Sequence, residues 1–227
     1  MLFNSVHFLL FFPVVLFLYY ILPLKFRWIW LLISSYYFYM SWNVKYVVLI
    51  AFSSVATYLA GMLIDFIRNN SEKDGKIDGT GKKNCVLRSF LRIFSCESVL
   101  ILCLLINLLI LFIFKYANFL FDTVTVGAAY LGIRAEIPTF DIVLPVGISF
   151  YTFQALSYTI DVYRGEVRAE RNLFKYALFV SFFPQLVAGP IERTKNLLTQ
   201  IQVEHKFDYD KVSRWLLLML WGFLKNF

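Results

Sequence analysis

Residues 144–161 read Leu144-Pro145-Val146-Gly147-Ile148-Ser149-Phe150-Tyr151-Thr152-Phe153-Gln154-Ala155-Leu156-Ser157-Tyr158-Thr159-Ile160-Asp161. After a charged stretch ending at Arg171, a second apolar run leads into Phe182-Phe183-Pro184-Gln185-Leu186-Val187-Ala188-Gly189-Pro190-Ile191-Glu192-Arg193. The first run, 142–160, is bracketed by Asp141 and Asp161 and is long enough to cross ~30 Å of hydrocarbon as a helix. The second, 173–188, carries Pro184 and closes on Gly189-Pro190. Proline and glycine interrupt the helix, and inside a bilayer the freed backbone groups must be met by protein or by a wet cavity. Residues 173–190 therefore read as a broken or re-entrant segment. An ordinary span with a kink is the alternative.

The same reading extends outward in both directions. Further apolar runs occupy 6–22, 28–44, 46–66, 99–114 and 215–227, the last being short for a span. Of the 227 residues, 59% are apolar, 19% aromatic and only 16% charged, with a mean hydropathy of +0.66. A soluble domain carries about 25% charged residues, so a disordered chain, a disulfide scaffold and an ordinary cytosolic enzyme are excluded. The expected fold class is an all-α polytopic membrane protein with about five to seven membrane segments, one of them broken. Run 6–22 is read as a retained span. It is preceded by Asn4 and Ser5 and ends in Tyr19-Tyr20-Ile21-Leu22-Pro23, without the basic start and small-residue cleavage site of a signal peptide.

Charge sets the orientation. Residues 68–92 hold seven basic and three acidic residues and several glycines, and read as a solvated loop. With the N-terminus outside, inner loops carry twelve Lys and Arg against three in the outer loops, so 68–92 is expected in the cytoplasm. Residues 115–141 are mixed and read as partly interfacial. The net charge of +7 is explained by these loops, with no basic face for nucleic acid. Cys85 and Cys96 flank the inner loop and Cys103 lies in an apolar run, so no disulfide framework is expected.

Little in the chain points to soluble-enzyme chemistry. Gly79-Thr80-Gly81-Lys82-Lys83 lacks the spacing and the Ser or Thr of a phosphate loop. His7 and His205 have no Cys, Asp or Glu at ligand spacing, so no metal site is expected. Gln154, Ser157, Tyr158 and Asp161 recur at helical spacing on one face. Such a stripe within a span should face the bundle interior or a wet cavity, as a channel or substrate lining, or bond between helices. Tyr163 and Arg164 follow at its end. In the broken segment, Gln185 is a candidate for a polar channel, and Arg193 for an anionic group. Turn formation and interfacial charge are the plainer explanations.

These motifs, Pro-Val-Gly-Ile-Ser-Phe-Tyr-Thr-Phe-Gln from Pro145, Ser-Tyr-Thr-Ile-Asp-Val-Tyr-Arg-Gly from Ser157, and Phe-Phe-Pro-Gln-Leu-Val-Ala-Gly-Pro-Ile-Glu-Arg from Phe182, resemble the membrane-bound O-acyltransferase family. The likeness is closest to its bacterial polysaccharide branch, typified by alginate O-acetylation. Met1 to Ser5, the Ser35–Tyr39 run before Trp42, and Trp221-Gly222-Phe223-Leu224-Lys225 fit the same branch.

The resemblance implies a ring of membrane helices with re-entrant segments. It further implies a cytoplasmic acyl donor such as acetyl-CoA or another thioester, and a polysaccharide acceptor on the far side. It also implies residence in the bacterial inner membrane among lipid, and a separate extracytoplasmic acetyltransferase as partner. The family's essential histidine has no match here and is expected beyond residue 227, so the chain is expected to be the N-terminal part of a single membrane domain and inactive alone. Two other classes compete. A transporter or flippase subunit would also show proline-broken segments, but no repeat relates the two here. A non-catalytic scaffold of a polysaccharide-modifying complex would need no base.

Overall fold

A computed structural model describes residues 5–74, 95–130, 145–186, 189, 194–203 and 208–225. Every regular element among them is helical. In chain order these are α1 (Val6–Ile21), α2 (Leu24–Met40), a short 3₁₀ turn (Val44–Tyr46), α3 (Val47–Asp74), α4 (Cys96–Tyr130), α5 (Ile148–Arg164), α6 (Leu173–Ser181), α7 (Phe183–Leu186), α8 (Thr194–Gln202) and α9 (Tyr209–Lys225). Each apolar run became a helix, and local capping explains several starts. Ser5 Oγ accepts the Phe8 N–H before α1. Asn172 Oδ1 accepts the N–H groups of Phe174 and Lys175 before α6. Asp208 Oδ1 accepts the Lys211 N–H before α9 at 3.2 Å. That bond, with the Lys211 ammonium, holds the Asp208 carboxyl below the usual carboxylate range.

Two sequence boundaries need correction. α3 does not stop at Phe66 but runs 28 residues to Asp74, so the first part of the 68–92 stretch is helical and not loop. Residues 75–92 lie outside the described residues. Likewise α4 does not end at Phe114. It continues to Tyr130, through part of the stretch expected to be mixed and interfacial. Both helices outlast their apolar stretch, because hydropathy marks where a helix can meet lipid and not where its backbone bonding ends.

α3 is the axis of the bundle. It packs along α4, α5 and α6, while α2 packs on α6 and α7 and α1 lies against α2. The faces are inverted relative to a soluble protein. The buried face of α3 carries Ser53, Ser54, Thr57, Ala60, Gly61 and Ile64. Its exposed face carries Val48, Phe52, Val55, Leu59, Leu63 and Phe66. α4 repeats this, with Cys103 and Asn107 inside and Ile101, Leu105, Leu109 and Phe112 outside. Large apolar side chains outward and small or polar ones inward suit a helix whose solvent is lipid. Two helices, Val44–Asn70 and Cys96–Tyr116, are long and apolar enough to cross a membrane.

Candidate functional site

The two motifs that dominate the sequence meet in space. α5 begins at Gly147, which has φ +74°, a left-handed conformation that side chains with a Cβ rarely adopt. A Cβ there would collide with the Leu186 carbonyl oxygen at the end of α7. The Pro145-Val146-Gly147 turn and the Phe182-Phe183-Pro184-Gln185 break are therefore pressed backbone to backbone, which only glycine permits.

The break itself lies at Phe182, whose ψ of 110° leaves the helical region. α6 is nine residues long, about 13 Å, well short of a membrane crossing. The segment is thus broken, as its proline suggested. Ending a helix here frees backbone groups in a buried place. The Phe179 C=O would ordinarily accept from the residue four further on. It accepts instead from Gln154 Nε2 at 2.8 Å. The Phe183 N–H donates to Ser35 Oγ at 3.3 Å. Pro184 has no N–H, so the Val180 C=O also loses its usual donor. Gln154 on α5 and Ser35 on α2 thus hold the two sides of the break.

A ladder of hydroxyls and amides runs beside it through the bundle. The Tyr176 hydroxyl, fully buried on α6, donates to Thr57 Oγ1 at 2.7 Å. Thr57 donates to the Ser53 carbonyl at 2.7 Å, and Ser53 Oγ donates to Asn107 Oδ1 at 2.6 Å. Asn107 Nδ2 then donates to the Cys103 carbonyl at 2.9 Å. Tyr158 packs against Tyr176 in a tilted pair with ring centroids 4.4 Å apart, and its hydroxyl accepts the Glu170 N–H at 3.0 Å. Gly61 makes room for that ring, since a Cβ there would lie 2.8 Å from Tyr158 Cε1.

The polar stripe of α5 is divided by this packing. Gln154 and Tyr158 are buried, whereas Ser157 and Asp161 are half-buried at the edge of the face. The stripe therefore faces the interior only in part. The buried face centres on Tyr151, Ala155, Tyr158 and Val162, four-residue and three-residue steps that bring aromatic bulk inward. Tyr163 is half-buried and its hydroxyl donates to Glu97 Oε1 at 3.4 Å. Arg164 is exposed. Gln185 is half-buried, and its Oε1 is buried without a hydrogen-bond partner among the described residues. Arg193 and His205 lie outside the described residues. His7 sits exposed in the first turn of α1, away from the ladder. Among the described residues no group of His, Cys, Asp and Glu could hold a metal ion.

Ser53, Thr57, Gly61, Asn107 and Tyr176 were not singled out from the sequence, and Ser35 entered only as part of the Ser35–Tyr39 run. The signal was present on α3: Ser53, Thr57 and Gly61 recur every fourth residue within an apolar span, the small-residue spacing that lets helices approach closely.

These features define a helical membrane protein whose polar interior supports a proline-broken helix. The chain is 36% identical over 223 residues to a probable alginate O-acetylase of Pseudomonas syringae pv. tomato, covering 98% of this chain and 38% of that protein. It is 37% identical over 223 residues to the probable alginate O-acetylase of Pseudomonas aeruginosa, with coverage of 98% and 38%. A peptidoglycan O-acetyltransferase of Helicobacter pylori is 29% identical over 224 residues, covering 87% of this chain and 37% of the relative. No family model matches the chain, and no solved structure matches it. The resemblance drawn from the motifs is borne out: over 98% of its length the chain is similar to alginate O-acetylases. It spans about two fifths of the length of the relatives it matches.

Proposed function

We propose that the chain is part of a membrane O-acetyltransferase that passes acetyl or a similar acyl group from a cytoplasmic thioester, acetyl-CoA by preference, toward an extracytoplasmic polysaccharide. The observation that carries this reading is identity of 36–37% along 98% of the chain with alginate O-acetylases. The structure supports it by placing a broken helix, a hydroxyl ladder and two glutamines in the middle of an apolar bundle.

In this reading the chain forms the walls of a thin ring-like region of five to seven membrane segments, in the bacterial inner membrane with its N-terminus outside. Residues 173–190 enter and return on the cytoplasmic side. Gln154 and Tyr158 hold the wall in shape, and Gln185, with its unpartnered Oε1, is the first candidate to meet an acyl or hydroxyl group. Ser157, Asp161, Tyr163 and Arg164 extend the lining toward the cytoplasm, and Arg193, outside the described residues, is the candidate for an anionic group. No residue of the chain is assigned the role of the base that an acceptor hydroxyl needs in order to attack a thioester. A separate extracytoplasmic acetyltransferase would complete transfer to the glycan.

The test uses membranes from bacteria expressing the gene, supplied with radiolabelled acetyl-CoA and scored for label in polysaccharide. Label in the polysaccharide, reduced by Gln185→Leu at equal protein level, supports the reading. Altered polysaccharide export without label would overturn it in favour of a transporter.

A further inference from the structure

We propose that the cavity at the end of the bundle where α1 turns into α2 binds one anionic phospholipid, with its phosphate between Lys25 and Lys175 and an acyl chain in the apolar part. The cavity measures about 600 Å³ and lies between the α1–α2 hairpin, the α6–α7 break and α8. Its walls are aliphatic and aromatic, with Phe12, Val15, Leu16, Trp28 and Leu31 on the hairpin side. Three cations also line it, Lys25, Arg27 and Lys175, and no Asp or Glu does among the described residues. Its volume falls within the ~300–1,000 Å³ of ordinary ligand pockets.

The combination selects the ligand class. A neutral lipid would satisfy the walls but offer no counter-charge to Lys25 and Lys175, beside which no acidic residue lines the cavity among the described residues. A soluble anion would satisfy the charges but leave the walls empty. A lipid with an anionic head satisfies both, because lysine side chains carry an apolar stem and a charge that attracts anionic headgroups. Arg27 contributes charge more than contacts, because its Nε donates to the Leu22 carbonyl at 3.1 Å and its guanidinium lies 5.0 Å from the centre of the Tyr19 ring. That leaves Lys25, exposed, and Lys175, half-buried at the start of α6, as the phosphate ligands. A second cavity of about 510 Å³ carries no such signature, since Asp65, Glu166 and Glu170 balance Arg168, Arg171 and Lys195. The inference concerns how the bundle sits in lipid and does not rest on acyl transfer.

The experiment uses the chain reconstituted in nanodiscs of phosphatidylcholine with a minor fraction of phosphatidylglycerol, and counts retained lipid by native mass spectrometry. Phosphatidylglycerol should be retained in preference. Lys25→Gln and Lys175→Gln should each lower its retention about fivefold, and together roughly thirtyfold. Lys45→Gln, on the turn before α3, should leave retention unchanged. Leu16→Trp should lower it with no change of charge, by filling the apolar part. All variants should share the parent's thermal midpoint. Equal retention of phosphatidylcholine, retention of phosphatidylglycerol by the double lysine variant, or an equal loss from Lys45→Gln would each overturn the proposal. So would displacement by inorganic phosphate together with an inert Leu16→Trp, which would make the ligand a soluble anion.

Discussion

Replacing Gln154 with leucine keeps the approximate size of the side chain and removes its amide, whose Nε2 is the donor at issue. In the structure that donor caps the Phe179 carbonyl, at 2.8 Å, at a point where α6 has stopped. A buried acceptor left without a partner costs about 1–3 kcal/mol. Two effects pull on that figure. No water is at hand in hydrocarbon to replace the donor. Against this, hydrogen bonds between membrane helices average only ~0.6 kcal/mol when measured, with a maximum near ~1.7, because the unfolded chain in the membrane also finds partners. We therefore expect Gln154→Leu to cost about 1–2 kcal/mol. Ser35→Ala should cost less, since its bond to the Phe183 N–H is longer, at 3.3 Å. Both caps serve one break, so the double variant should depart from additivity by at least ~0.5 kcal/mol. Gln154→Glu adds a test of sign. An ionised carboxylate cannot donate and a protonated one can, so its deficit should shrink as pH falls. The assay is reversible unfolding in mixed micelles, followed by far-ultraviolet circular dichroism and tryptophan fluorescence. Stability of Gln154→Leu within ~0.3 kcal/mol of the parent, with an additive cycle, would refute the capping argument.

Further expectations follow from the same contacts. Gly147→Ala should destabilise by more than ~2 kcal/mol in the same assay, combining the left-handed backbone penalty with a collision against the Leu186 oxygen. Asn107→Leu should cost about 1 kcal/mol, because it removes the acceptor of Ser53 Oγ. Tyr176→Phe should cost a similar amount while leaving the 4.4 Å tilted ring contact with Tyr158 in place. In a background lacking Cys85, Cys96 and Cys103, a cysteine at Lys45 should react with an impermeant reagent added outside intact cells and one at Glu166 should not. The opposite pattern would invert the proposed orientation.

The helices were legible because apolar length and capping residues are local properties. The apolar run 6–22 became α1, and 142–160 anchored α5. That the segment breaks near Pro184 was legible for the same reason, since proline acts on its own backbone, although the break itself falls two residues earlier at Phe182. What answered the break was not legible. That Gln154 faces Phe179, or Ser35 faces Phe183, depends on how α2, α5 and α6 sit against one another, and no periodicity encodes it. The division of the α5 stripe has the same origin. Spacing put Ser157 and Asp161 on one face with Gln154, but the aromatic bulk of Tyr151 and Tyr158 turned the helix so that the stripe lies at the edge. The helical continuation to Asp74 was hidden by charge, because Glu72 and Lys73 are good helix formers that a hydropathy reading counts as loop.

The inverted faces explain why the site took this form. Within lipid, burying a leucine against another leucine gains little, since the acyl chains offer the same contact. Cohesion must come from close approach and from hydrogen bonds that lipid cannot supply. α3 meets both needs with one row, Ser53, Thr57 and Gly61, which hydrogen-bonds toward Asn107 and Tyr176 and gives Tyr158 its space. With that row as a firm wall, a helix can stop at Phe182 in the middle of the bundle and still have its key backbone groups met. A broken helix so supported leaves Gln185, half-buried with an uncommitted oxygen, on the four-residue helix just past the break. Rigidity in α3 and α5 is thus the condition for irregularity in α6 and α7. The ladder and the break are therefore one device, and substitutions that weaken either should be felt in both.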